Sequence, residues 1–397
     1  GCVFYIINPH KFLFVFIFIT MNSTCNGNPS KINLKVDNLT LRDGSQITTS
    51  TAGYADGDAG DITVIATESV EISGTGFFSI DVNQSFRQVS GLFSDSRTLS
   101  TNGGNGGNVK IITPKLEILE GGILSVSTLG SGNAGNIIIR AEEITVAEPI
   151  VNVDGNVTGL LTNVGTRGSG NGGLLDIEAK RLNIYNGGQI NASTDGAGNA
   201  GIIDIRANKI DLSGESSDGL FRSAITSNST TNFNAGSINL NSNQINVRDG
   251  AQISVSSLSG GDAGNLNLNS DTISLDNQAS LKADVASGEQ GNINLNSQFL
   301  LLRNGSNITT DATGTANGGN IDINSAIIAG FENSDIIANA VEGNGGNINI
   351  TTQGIFGLEF REELTSASDI TASSQFGVNG TVEVNNLDLD PSSGLGE

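Results

Sequence analysis

Three arginines stand at the same place in three copies of one turn: Arg42-Asp43-Gly44, Arg248-Asp249-Gly250 and Arg303-Asn304-Gly305. Cleavage of an acidic polysaccharide uses such groups, carboxylates for calcium or acid–base work and Arg or Lys as base or charge stabiliser. The repeat described below puts Arg248 and Arg303 two units apart and Arg42 far away, so solvated corner residues are the preferred reading. Asp56, Asp58 and Asp61 offer oxygen ligands for Ca²⁺, yet the spacing lacks the terminal Glu of an EF-hand loop. It also lacks the nine-residue recurrence of a calcium nonapeptide. An acidic turn of the repeat is the expectation there. The only histidine is His10, and the two cysteines, Cys2 and Cys25, have no metal-ligand spacing and cannot form a disulfide framework for the rest of the chain. The glycine-rich stretches are not phosphate loops, because no Gly-Lys-Ser/Thr follows them. No catalytic, cofactor-binding or metal residue is therefore assigned, and the chain is expected not to be an enzyme.

What positions these residues is a repeat. Gly/Asn clusters such as Asn133-Ala134-Gly135-Asn136 and Gly345-Gly346-Asn347 punctuate the chain. Taking the last glycine of each cluster as an anchor, Gly236, Gly264, Gly291, Gly319 and Gly346 follow one another at 28, 27, 28 and 27 residues. Apolar residues sit at fixed offsets: Ile238 and Leu240, Ile245 and Val247, Ile253 and Val255 in one unit, with Leu266, Leu268, Ile273, Leu275, Leu281 and Ala283 in the next. Each pair is two apart, the period of a strand, and no 3.6-residue period is sustained. Three short strands cannot enclose a core alone, whereas stacked copies can, each pairing in parallel with the next about 4.8 Å away. The expected fold is all-β: a right-handed parallel β-helix of about a dozen coils of ~28 residues with three short strands each. The anchor glycines are expected at corners needing positive φ. Outward Asn239/Asn241, Asn267/Asn269 and Asn294/Asn296, then Asp322/Asn324, are expected to stack as ladders.

Composition agrees with an ordered but unusual chain. Of 397 residues, 53 are Gly, none is Trp, and only 15% are charged, so the polarity is not that of a highly charged disordered chain. The formal net charge of −22 repels phosphate backbones, which excludes nucleic acid as a partner. Three regions are expected: an apolar flank over 1–30 outside the fold, the β-helix over 31–391, and a tail over 392–397. The apolar runs within 1–20 leave a signal core, an anchor and a fragment edge open, the last being preferred.

Three units are stretched. Gly60 to Gly107, Gly135 to Gly173 and Gly201 to Gly236 span 47, 38 and 35 residues, and the extra residues begin past Ile72, Val146 and Leu212. A fourth insertion is expected around Leu358 to Leu364. All should emerge at one corner, where a surface carbohydrate or protein ligand is the candidate partner. Phe77, Phe78, Phe86, Phe93 and Phe221 belong to these segments, packed down as a lid in the preferred reading.

Units such as Gly132-Asn-Ala-Gly-Asn-Ile-Ile-Ile-Arg-Ala141 and Asp249-Gly-Ala-Gln-Ile-Ser-Val255, with the ending Ser368 to Val384, resemble the filamentous-haemagglutinin-like exoproteins of two-partner secretion. The most similar group is the cyanobacterial S-layer family or haemagglutination-activity-domain type. The resemblance implies a secreted or cell-surface, non-catalytic adhesin or structural rod, exported through an outer-membrane transporter. No secretion domain is found ahead of residue 31, so the chain is expected to be the C-terminal part of a longer exoprotein, or a decayed or truncated copy. Two alternatives stay open: a polysaccharide-active lyase or hydrolase, and a calcium-stabilised structural repeat. An enzyme would place Asp, Lys or Arg outward on three adjacent coils of one face, where mainly Asn, Ser and Thr are expected.

Overall fold

The computed structural model describes residues 31–386 except 52, 55, 82–83, 151–156 and 290, together with strand backbone at Val3–Asn8, Leu13–Phe14 and Phe18–Thr20; for 77–86 and 386 the backbone alone is described. The described residues contain no helix. Twelve long strands open successive coils: Lys31–Leu41, Ile62–Ser73, Val109–Leu119, Ile137–Ala147, Leu174–Tyr185, Ile202–Ser213, Ile238–Arg248, Asn265–Asp276, Asn292–Leu302, Asn320–Gly330, Asn347–Thr352 and Thr381–Asn386, numbered here coils 1 to 12. They pair in parallel, each with its counterpart one coil on, in a 15-stranded sheet. A 13-stranded second sheet is built of short strands such as Gln252–Ser254 and Ser280–Lys282 in the same order. A third line is a chain of single parallel bridges, from Ser229 to Ser257, Val285, Ala312 and Ala340. The molecule is thus a parallel β-helix. In the N-terminal flank, Val3–Asn8 lies parallel to Lys31–Val36 and Phe18–Thr20 parallel to Gln46–Thr48.

The expected apolar offsets are the interior. Ile238, Leu240, Ile245, Val247, Ile253 and Val255 are buried, and Leu266, Leu268, Ile273, Leu275, Leu281 and Ala283 stack on them. One continuous apolar cluster runs from Ile32 to Ala372. Burying each large aliphatic side chain contributes about 1.5–3 kcal/mol against the chain entropy lost. The coil differs from three separate strands in one respect. The first two apolar pairs lie on a single strand of 11 or 12 residues that bends in its middle. On most coils no Gly or Pro separates the pairs and the ladder continues through the bend, while on coil 3 Pro114 lies there and the register against coil 2 shifts. A small residue turns inward there (Ala207, Ser242, Ser270, Ser325), and the inward phase then slips by one. The Ser242 hydroxyl donates to the carbonyl of Gln244 at 2.9 Å, and Ser270 does the same to Thr272 at 2.9 Å, which satisfies the bent backbone.

The anchor glycines serve a purpose other than the expected one, because none of them from Gly107 to Gly346 has positive φ. They are stacked against one another. A Cβ on Gly264 would lie 1.7 Å from the carbonyl oxygen of Gly236, and one on Gly135 would lie 1.9 Å from that of Gly107. Close approach of successive backbones, not handedness of the turn, excludes a side chain. Positive φ occurs instead at the corner between long and short strands, in the pairs Asp43-Gly44, Asp249-Gly250 and Asn304-Gly305.

The first three insertions leave at that corner, as expected. Thr75–Asp81 and Gln84–Val89 form an antiparallel hairpin, and Glu215 bridges Arg222 in the third. The fourth behaves differently: Leu358–Phe360 adds a strand beside Ser368–Thr371 at the C-terminal edge of the short-strand sheet. Residues 387–391 of the expected domain and the tail 392–397 lie outside the described residues.

Candidate functional site

The arginine turns do not converge. Arg42 forms a bidentate pair with Glu71 of the next coil at 2.8 and 2.7 Å, Arg303 pairs with Glu332 at 3.1 and 2.7 Å, and Arg248 turns onto its own Asp249 at 2.7 Å. Each guanidinium braces a corner. The acidic turn is likewise committed to the neighbouring coil. Asp58 accepts from the backbone N–H of Asn105 at 2.7 Å, Asp61 from that of Asn108 at 3.0 Å and from Lys31 at 2.9 Å, while Asp56 accepts from Ser100. Asp58 begins a ladder in which Asn105, Asn133, Asn171, Asn199 and Asn234 each accept from the same backbone position one coil on, at 2.8–3.1 Å. His10, Cys2 and Cys25 lie outside the described residues.

At the insertion corner a cleft of ≈ 750 Å³ opens between the three protruding segments. Asp43, Glu120, Glu148 and Glu215 line it, while Pro149 and Ile150 lie against the turns at Gly187 and Gly121. Phe93 is not part of this surface: it sits in the short strand Gly91–Phe93 and is buried, with Arg97 5.6 Å above its ring. Phe221 is half-buried, and the side chains of Phe77, Phe78 and Phe86 lie outside the described residues.

The outer face of the long sheet holds what sequence reasoning overlooked. On coils 4, 5 and 6 its outward side chains are charged and brought together. Asp176 is clamped between Arg140 at 2.5 Å and Arg206 at 2.8 Å, with Glu178 3.4 Å from Arg140. These residues occupy offsets three and five after Gly135, Gly173 and Gly201, the positions where Asn239 and Asn241 follow Gly236 and Asn267 and Asn269 follow Gly264. The spacing that assigned the asparagines could have found them. Asp204, one coil on, accepts from Asn239 at 2.6 Å, and there the expected amide ladder begins. Asn267 donates to Asn239 at 2.7 Å and Asn294 to Asn267 at 2.8 Å. The companion row is looser: Asn269 approaches Asn241 at 3.4 Å, and Asn296 and Asn324 form no such bond.

Along the bend beside that looser row runs a groove of ≈ 770 Å³, reaching from Glu178 and Arg206 on coils 5 and 6 to Gln353 on coil 11. Asn208, Asn243, Asn296, Gln298, Asn324 and Gln353 project into it, and all six are exposed. Compared with protein-family models, curated proteins and solved structures, the chain matches none.

A second ladder runs along the corner after the short strands and contains carboxylates. Ser256 accepts from the backbone N–H of Asp284 at 3.1 Å, Asp284 from that of Asp311 at 3.0 Å, and Asp311 from that of Asn339 at 2.9 Å. Burial and the neighbouring Asp284 push the Asp311 carboxyl up to about 7, and burial also raises Asp284. Asp95, in the same ladder on coil 2, instead has Arg97 at 2.6 Å.

Proposed function

We propose that the chain is a non-catalytic, secreted or cell-surface β-helical rod of an adhesive or structural exoprotein, exported through an outer-membrane transporter of the two-partner kind. What supports the reading is the uninterrupted interior from Ile32 to Ala372 with ladders tying every coil to the next. Such a stack is stiff along its length and needs no closed pocket, which suits display over distance better than turnover. The resemblance to filamentous-haemagglutinin-like exoproteins supplies the secretory half of the proposal. Protease treatment of intact producing cells tests it: the chain should be cleaved without lysis, and protection until lysis overturns it.

One observation favours a second reading, a polysaccharide-active enzyme. Arg140, Asp176 with Glu178, and Arg206 place charge outward on three adjacent coils at one end of the groove. Against it, both oxygens of Asp176 are engaged by guanidinium groups, so neither is free to reach a substrate proton. Release of reducing ends from a polysaccharide panel by the intact chain, abolished by Asp176→Asn, would establish the enzyme. A panel left uncleaved removes it.

A further inference from the structure

We infer that the groove along the bend of the long sheet binds a neutral polysaccharide laid parallel to the rod axis. The inference rests on the surface-rod reading for where such a polymer is met, while the recognition chemistry stands on the groove itself. On the outer row and at the corners of the coils, side-chain amides such as Asn133, Asn199 and Asn267 spend their hydrogen bonds on the next coil. In the groove, Asn269 still approaches Asn241 at 3.4 Å, but six other amides do not pair. Asn208, Asn243, Asn296, Gln298, Asn324 and Gln353 make no side-chain hydrogen bond among the described residues, though each is exposed. A primary amide offers two donors and one acceptor with two lone pairs, which matches hydroxyl groups that both give and receive.

The groove carries these amides on coils 6, 7, 9, 10 and 11, with Asp271 in their place on coil 8. With about 4.8 Å per step, it extends for about 24 Å. An extended polymer with a short repeat can follow such a groove, whereas a compact ligand uses only part of it. Phe299, 50% exposed, and Ile327, 36% exposed, stand next to Gln298 and Ala326 and give an apolar flank for the less polar face of a sugar ring.

Charge selects the neutral polymer. The groove's own ionic groups are Glu178, Asp271 and Arg206, and Arg206 is held by Asp176 at 2.8 Å. An acidic polysaccharide meets carboxylates there and a chain of net charge −22 beyond them. An extended peptide is disfavoured for a different reason. Strand addition needs an unpaired sheet edge, and along the groove the long strands already pair on both sides, edges being confined to the two ends of the stack.

Affinity electrophoresis of the full chain decides it, with dextran, xylan, galactomannan or mixed-linkage β-glucan cast in native gels, polygalacturonate as the acidic comparator and a Ser/Thr-rich extended peptide as competitor. At least one neutral polysaccharide should slow the chain. Asn243→Ala/Asn296→Ala/Asn324→Ala should weaken that retention about tenfold or more, with the melting temperature unchanged. Glu148→Gln/Glu215→Gln at the insertion corner should leave it intact. If the triple variant melts early, Asn324→Ala and Phe299→Ala, tested singly, replace it. Retention by no neutral polysaccharide, retention by polygalacturonate alone, displacement by the peptide, or retention that survives the groove variants each overturns the inference. The surface reading is scored separately. Cell-surface cleavage without retention defeats the groove alone, and retention by a chain shielded inside intact cells defeats the surface assignment alone.

Discussion

Coils 4 to 6 and coils 7 to 10 have one interior and two different exteriors. Inside, Ile205 and Leu240, or Ile210 and Ile245, are successive rungs of the same ladder, and all are buried. Outside, coils 4 to 6 are joined by ion pairs: Arg140 with Asp176, Arg181 with Glu143, Lys180 with Glu142 and Arg206 with Asp176. Coils 7 to 9 are joined by amides, Asn239 to Asn267 to Asn294. The inward lattice therefore specifies the fold, and the outward positions are free to vary in chemistry from one end of the rod to the other. Ion pairs at exposed positions contribute little and are screened by salt, whereas neutral amide bonds are indifferent to it.

If the interior is shared, equal lesions must have equal effects in both halves. Gly264→Ala and Gly201→Ala should each destabilise by about 3 kcal/mol or more, since the new Cβ falls on a backbone carbonyl at 1.7 and 2.2 Å. Gly250→Ala, with φ +78° and nothing within 4 Å, should cost only about 1 kcal/mol. Urea unfolding measures all three, and equal losses at Gly250 and Gly264 would refute the stacking role. Ile205→Ala and Leu268→Ala should likewise each lose about 3 kcal/mol, and a large disparity would break the comparison.

Carboxylates also set the two ends of the stack apart by pH. Asp311 sits near 7 in the folded chain, above its ordinary 3.8, so between about pH 4 and pH 7 the folded state keeps a proton that the unfolded state has released. Stability from this group falls as pH rises through that window. Asp311→Asn keeps the acceptor for Asn339 and should raise stability at pH 8 by on the order of 2 kcal/mol, with no gain at pH 3.5. Near the N-terminal end the sign reverses. The Glu71 carboxyl, although burial opposes it, is held below the usual range by Arg42 and Ser73, and Asp61 is lowered by the Asn108 N–H and Lys31. Their contribution is present above the ordinary carboxylate range and is lost in acid. Melting curves from pH 3.5 to pH 8 read both effects. Smallest of all, Arg181→Gln should cost less than about 1 kcal/mol in low salt and nothing in 1 M NaCl, whereas Asn267→Ala should cost about 1 kcal/mol in both.

The parallel β-helix was legible because its determinants are local and periodic. Ile238 to Val255 show the inward lattice by spacing alone, and the long units announce their corner by where they depart from 28 residues. Three features were hidden because they depend on what lies one coil away. The bend at Ser242 joins two strands that spacing reads as separate. The carbonyl of Gly236 explains Gly264, while φ does not. Among outward amides the sequence shows identity and not occupancy, so Asn267, paired, and Asn296, unpaired, look alike. The charged cluster around Asp176 was overlooked because its offsets were filled from the asparagine-bearing units.

The register of the stack is the claim on which groove, ladders and comparison all stand, and spin-label distances measure it directly. Labels on cysteines at Asp176 and Asp322, five coils apart on one outward row, should give a narrow distribution centred on about 24 Å, shortening by about 4.8 Å for each coil removed when the partner moves to Asn294 or Asn267. A broad distribution, or distances that do not step with coil number, would contradict the stacked lattice.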